Sequence, residues 1–144
     1  IKDFKAVAAK DGITAIKVKS SNMLLAYGFV RKVFEIFESW KTPIDMIATS
    51  EVAISLTIDS TCHLEDIKKD LTKYGTIEVE ESLSIVGDCS INNSGLAARA
   101  LTALEDIPLH MISYGASEHS ISLLVKQADK QKALEALSER LLNK

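Results

Sequence analysis

The chain repeats itself, and this constrains its fold more than any other feature. SEVAISL at 50–56 returns as SEHSISL at 117–123, and Gly28 opens GFVRKVFEIF where Gly95, 67 residues later, opens GLAARALTAL. A period this long indicates a duplicated small domain rather than a solenoid repeat. A unit of roughly 70 residues buries little core alone, so we expect two units that share surface with each other or with a partner.

A second pair of segments aligns with a shorter offset. TPIDMIATSE at 42–51 matches IPLHMISYGASE at 107–118, which places Asp45 opposite His110 at an offset of 65 residues. The second copy is therefore two residues shorter before its strand, and it regains them at Tyr114 and Gly115.

Hydrophobic periodicity predicts six elements in the first copy. In order they are a strand at 13–20, a helix at 29–40, strands at 44–48 and 52–58, a helix at 64–74 and a strand at 76–80. Pro43 ends the first helix and Gly75 ends the second. The order βαββαβ is that of the ferredoxin-like fold.

The second copy is one strand short of the first. It runs through a strand at 83–89, a helix at 95–104, strands at 109–114 and 120–126, and a helix at 130–142. A further strand at 4–9, ended by Asp11 and Gly12, is the obvious donor, because an unfilled sheet edge is a liability. We predict an α+β protein of two ferredoxin-like domains, with 12–81 inserted into a domain made of 3–11 and 82–144.

Charge and composition exclude several classes of protein. With 17 basic and 20 acidic residues spread along the chain, there is no basic face for nucleic acid and no polybasic patch for a membrane. Without a signal peptide or an apolar run of membrane length, we expect a cytoplasmic chain. Cys62 and Cys89 lack the spacing of metal ligands, and no Cys, His or Ser arrangement suggests a catalytic centre.

Several segments resemble a known family. SSNMLLAYGFVRKVFEIF followed by IDMIATSEVAISL is similar to the first of the tandem ACT domains of aspartokinases, especially the lysine-sensitive class. LSIVGDCS, GLAARALTAL and MISYGASEHSISLLV resemble the second. The chain has no Lys-Phe-Gly-Gly segment, no GxxxxGK[ST] and no GxGxxG. The resemblance therefore implies a regulatory region without the kinase domain and without a cofactor of its own, since ATP belongs to the kinase domain.

The first copy offers suitable groups for a free amino acid. The backbone N–H groups of Gly28, Phe29 and Val30 suit a carboxylate, and the acidic residues Asp45 and Glu51 suit ammonium groups. By resemblance, the lysine contacts fall on Met23, Ala26, Gly28, Phe29, Val30, Pro43, Ile44, Asp45, Thr49, Ser50 and Glu51. Serine stands at the positions of Ala26 and Pro43 in some lysine-sensitive relatives.

The second copy serves as a control for these residues. Its His110 and Leu96 replace Asp45 and Phe29, and a histidine is a poor partner for an ammonium group, so the effector should favour the first copy. The resemblance implies feedback inhibition by L-lysine bound between the first copies of a homodimer, whose paired sheets become continuous. Two alternatives stay open, namely a threonine sensor, which needs one fewer acidic partner, and a dimerisation module without a ligand.

Overall fold

The computed structural model describes residues 5–20, 28–50, 52–90, 95–115 and 120–142. In order, these residues form β1 (Lys5–Ser20), α1 (Phe29–Ser39), β2 (Ile47–Thr49), β3 (Ala53–Ile58), α2 (Leu64–Leu71), β4 (Gly75–Ser90), α3 (Leu96–Ala103), β5 (Met111–Tyr114), β6 (Ser120–Lys126), a short 3-10 helix (Gln127–Asp129) and α4 (Lys130–Leu142). The chain divides into a continuous unit, Ile13–Glu81, and a split unit, Ile1–Gly12 with Ser82–Lys144.

The continuous unit has the strand order β2-β3-β1-β4, in which β1 contributes 13–20 and β4 contributes 75–81. β3 pairs antiparallel with both β1 and β2, and Ile54 faces Val18 and Thr49 across the two ladders. This order leaves β2 at the edge of the unit's strands. It is the ferredoxin-like order predicted from the pattern of the first copy.

Alternation along the strands and helical spacing in α1 and α2 build the core of this unit. Val33 and Phe37, four residues apart on α1, are both buried, because residues at that spacing share one helix face. The core consists of Ile16, Val18, Val33, Phe37, Ile54, Leu56, Ile58, Leu64, Ile67 and Leu71.

The split unit has the order β1-β4-β6-β5, in which β1 contributes 5–12 and β4 contributes 82–90. β6 pairs antiparallel with β4 and with β5. Its core is formed by Val86, Ala100, Leu104, Ile107, Ile121, Leu123, Val125, Ala133 and Leu137. The split unit thus includes the N-terminal half of β1.

Two predicted strand breaks are wrong. The turn predicted at Asp11 and Gly12 lies within the uninterrupted strand β1, and the strands predicted at 76–80 and 83–89 form the single strand β4. Gly12 has a φ of 73° and Ser82 a φ of 62°, so each long strand absorbs a left-handed residue without ending. Both residues stand at a boundary between the units.

Several elements begin later or end earlier than predicted. α2 ends at Leu71 rather than Tyr74, because the N–H of Tyr74 donates to Leu71 O and closes a tighter turn. β2 begins at Ile47 rather than Ile44, and β5 begins at Met111 rather than Leu109. The helix predicted at 130–142 and the strand predicted at 120–126 are confirmed.

No helix within the described ranges is long and apolar enough to cross a membrane. Over the same residues, no three His, Cys, Asp or Glu side chains lie close enough together to hold a metal ion.

Candidate functional site

Gly28 sets the start of α1. It has φ 84° and ψ −5°, a left-handed conformation that glycine adopts without strain. Its carbonyl accepts the first helical bond from Lys32 N at 2.9 Å, and the N–H groups of Phe29 and Val30 that follow have no carbonyl of their own helix to donate to. No acidic residue stands in the first turn of α1. This helix start therefore favours an anion.

Asp45 lies in a β-bulge just before β2. Its N–H donates to Thr57 O at 2.8 Å, while the N–H of Thr57 donates to Met46 O at 3.0 Å. Two residues of one strand thus face one residue of the other, which is the definition of a bulge. The bulge explains why β2 begins later than predicted. It leaves the Asp45 side chain exposed and that of Met46 buried.

Thr57 holds the bulge from the opposite strand. Its hydroxyl accepts a hydrogen bond from Met46 N at 2.8 Å, and the residue is completely buried. Thr57 is not among the residues predicted for the site. It stands in AISLTI on the same alternate positions as Ala53 and Ser55, and alternation alone does not distinguish a buried threonine there from an exposed one.

Thr49 and Ser50 lead into the turn between β2 and β3. Ser50 N donates to Ala53 O at 2.9 Å, and Ser20 N donates to Val52 O at 2.8 Å. β1 therefore ends beside this turn. The side chains of Thr49 and Ser50 are exposed.

The predicted site residues fall into separate groups within one unit. Asp45 and Thr49 are four residues apart, so they stand about 13 Å apart along an extended strand. Gly28 and Pro43 flank opposite ends of α1, which is about 16 Å long at eleven residues. Ile44 is half-buried and accompanies Asp45. Met23, Ala26 and Glu51 lie outside the described residues.

The split unit repeats this backbone frame with different side chains. Gly95 starts α3 with a φ of 75°, and His110 N donates to Leu124 O at 2.7 Å while Met111 also faces Leu124. The same bulge is therefore present, with His110 at the place of Asp45 and Leu124 at the place of Thr57. The predicted alignment of Asp45 with His110 is confirmed.

A fold of this kind is shared with known proteins. Residues 83–141 match the family model of the ACT domain. A structure described as a C-terminal regulatory domain of aspartate kinase from Porphyromonas gingivalis is 52% identical, superimposes with a TM-score of 0.91, and the match covers 97% of this chain and 99% of that one. These two matches assign the chain to the class of ACT-type regulatory domains.

Longer relatives show which family of ACT-type regulatory domains the chain belongs to. An aspartokinase of Candida albicans is 34% identical over 95% of this chain and 27% of its own length. Aspartokinase III of Escherichia coli, in a structure with lysine and aspartate, is 31% identical, with a TM-score of 0.82 over 94% of this chain and 33% of that one. The chain belongs to the family of aspartate kinase regulatory regions. It spans between 26% and 33% of the length of the curated relatives it matches.

Proposed function

We propose that this chain is the effector-sensing region of an aspartate kinase and that its effector is L-lysine. The observation that carries the proposal is the pairing of two features in the continuous unit. These are a helix start at Gly28 suited to a carboxylate and an exposed acidic residue, Asp45, at the start of an edge strand. The split unit has the same helix start but offers His110 in place of the acid.

Related proteins support the choice of ligand. The Escherichia coli structure that superimposes on this chain is a complex with lysine and aspartate, and the curated name of an E. coli relative is lysine-sensitive aspartokinase 3. In this chain, the α-carboxylate of lysine would accept hydrogen bonds from the N–H groups at the start of α1. Its ammonium groups would pair with the carboxylates of Asp45 and Glu51, while Thr49 and Ser50 add hydroxyl groups.

The geometry of the unit favours a site shared by two copies. Asp45, just before β2, and Thr49, at the end of β2, lie too far apart to contact the same small group. When two edge strands pair antiparallel about a two-fold axis, the start of each strand faces the end of the other. Asp45 of one copy would then lie close to Thr49 of the partner subunit, in a homodimer whose paired sheets are continuous.

The wider proposal concerns both units. We take them to be two ACT domains, the first at 12–81 and inserted into the second at 3–11 with 82–144, with the second in a structural role. Lysine can control the kinase domain of the parent enzyme only if it binds two arrangements of the subunits with different affinity. Threonine is the second candidate effector. It ranks below lysine because it lacks a distal ammonium group and so needs one fewer acidic partner than Asp45 and Glu51 together supply.

Calorimetric titration of the chain with L-lysine, and with L-threonine as the paired ligand, tests the proposal. We expect saturable binding of lysine and none of threonine. Asp45→Asn should weaken lysine binding about 10- to 100-fold, because a hydrogen bond to a charged group is lost. Glu35→Gln is the control, since Glu35 is an exposed acid of α1 that pairs with Arg31 at 3.9 Å.

Three results would count against the proposal. Threonine binding alone would assign the region to the threonine-sensing class. Silence from both amino acids, with a stable dimer, would favour a dimerisation module without a ligand. Equal lysine affinity of the native chain and the Asp45→Asn variant would remove Asp45 from the site.

A further inference from the structure

We propose that Thr57 is the positioning residue of the lysine site, because it fixes the direction in which the side chain of Asp45 points from the backbone next to the edge strand. The inference rests on the proposed function and adds a residue that does not touch the ligand. Thr57 is the residue of β3 that faces the bulge, and three of its atoms form hydrogen bonds with the bulge residues Asp45 and Met46. Its carbonyl accepts from Asp45 N, its N–H donates to Met46 O, and its hydroxyl accepts from Met46 N.

The hydroxyl supplies the bond that a bulge otherwise leaves open. In a regular antiparallel ladder each residue faces one partner, so the extra residue of a bulge brings an N–H group that the ladder does not use. Here that group belongs to Met46, whose side chain is buried, and a buried N–H group without a partner is costly. The hydroxyl of Thr57 fills this need from within the core.

The two hydrogen bonds to consecutive N–H groups fix the backbone on both sides of the Asp45 carbonyl. With Asp45 N held by Thr57 O and Met46 N held by Thr57 Oγ1, the peptide plane between the two residues cannot turn without breaking a bond. The Cα–Cβ bond of Asp45 therefore keeps one direction. A charged side chain that is already held in its binding orientation loses less conformational entropy when a ligand binds.

The split unit shows that positioning of the acidic side chain and formation of the bulge are separate matters. It has the same bulge at His110 and Met111, but the facing residue there is Leu124, which has no hydroxyl. A threonine hydroxyl is therefore not required for the bulge to form. Within the described residues, the hydroxyl occurs where the bulge carries an acidic side chain and is missing where it carries a histidine.

Thr57→Val is the test, because valine keeps the shape of threonine and removes the hydroxyl. We expect lysine to bind this variant about tenfold more weakly, and Thr57→Ser to restore binding to within about twofold of the native chain. Thr14→Val is the matched control. Thr14 is a buried residue of β1 in the same unit, so its loss reports the general effect of removing a buried hydroxyl.

Amide hydrogen exchange of Met46 gives a second readout that does not depend on lysine. We expect its N–H to exchange faster in Thr57→Val than in the native chain, Thr57→Ser and Thr14→Val. Exchange in Thr57→Val as slow as in the native chain would overturn the positioning role whatever the titration shows. Equal losses of lysine affinity in Thr57→Val and Thr14→Val would also overturn it, since the effect would then be one of stability. A native chain that binds no lysine would overturn the proposed function itself, and the inference with it.

Discussion

At the scale of single residues, Asp11 illustrates how a polar side chain supports the split unit. Its carboxylate accepts hydrogen bonds from Lys130 Nζ at 2.8 Å and from the buried Ser84 Oγ at 2.6 Å, and Gly12 N donates to Gln127 Oε1 at 3.2 Å. The hydrogen bond from Lys130, followed by that from Ser84, holds the pKa of Asp11 below its ordinary value. These bonds tie β1 to β4 and to the segment that leads into α4.

The lowered pKa of Asp11 makes a pH-dependent prediction. A carboxyl group whose pKa is lower in the folded state contributes stability above its unfolded pKa and loses it as the pH falls through the folded value. Asp11→Asn should therefore lower the unfolding temperature at about pH 7, and the difference from the native chain should shrink as the pH falls below about 3.9, the ordinary value of an aspartate. Thermal unfolding followed by circular dichroism over a series of pH values measures this. The control is Asp106→Asn, which removes an exposed acid of the same unit and should leave the unfolding temperature at pH 7 nearly unchanged.

At the scale of elements, the pairing of β1 with β4 depends on one residue without a side chain. A Cβ atom on Gly75 would overlap the carbonyl oxygen of Lys19, whereas one on Gly87 of the same strand would meet open space. Gly75 thus begins β4 because the backbone of β1 occupies the place of a side chain. The requirement here is for space, since Gly75 does not have a positive φ.

Gly75→Ala should destabilise the chain by about 1–3 kcal/mol or more, because the backbones of β1 and β4 must move apart to admit a methyl group. Gly87→Ala is the matched variant on the same strand and should cost less than 1 kcal/mol or stabilise, roughly as alanine compares with glycine in an extended strand. Urea unfolding of both variants gives the comparison. Equal free energies of unfolding for the two would contradict the close approach seen at Gly75.

The elements themselves were largely predictable from the sequence, and the details of the site were not. The spacing of Val33 and Phe37 and the alternation in ITAIKVKS identified α1 and β1 because burial of one face dictates such patterns. Asp11 and Gly12 suggested a turn by composition, yet β1 continues through both residues, because a strand can include one left-handed residue without ending. The bulge at Asp45 and the hydroxyl of Thr57 depend on a partner strand, which periodicity within one segment does not reveal.

At the scale of the whole molecule, the described surface leaves five large apolar side chains exposed. They all lie on the first helix or the edge strand of a unit: Val30, Ile47, Leu101, Ile112 and Tyr114. Ile47 on β2 and Ile112 on β5 are equivalent in the duplication, with exposures of 40% and 45%. Unpaired edge strands with apolar residues are sites of association.

The proposed lysine site predicts which of these edges pairs. Ile47→Lys should convert the proposed homodimer into a monomer, because a charge on the edge of β2 opposes strand pairing. Ile112→Lys places the same charge on the equivalent position of β5 and should leave the proposed homodimer intact. Analytical ultracentrifugation measures both molecular masses. A monomer from Ile112→Lys and a dimer from Ile47→Lys would move the subunit contact to β5.

The two left-handed residues inside β1 and β4 have an evolutionary consequence. If the continuous unit is removed, Gly12 is joined to Ser82, two successive residues with φ of 73° and 62° on strands that are neighbours. Two positive φ values in a row are what a two-residue hairpin of type I′ requires. In the proposed arrangement of an inserted domain and a host domain, the insertion therefore replaces a hairpin turn, and an ancestral gene could accept an entire domain there without losing a strand pairing.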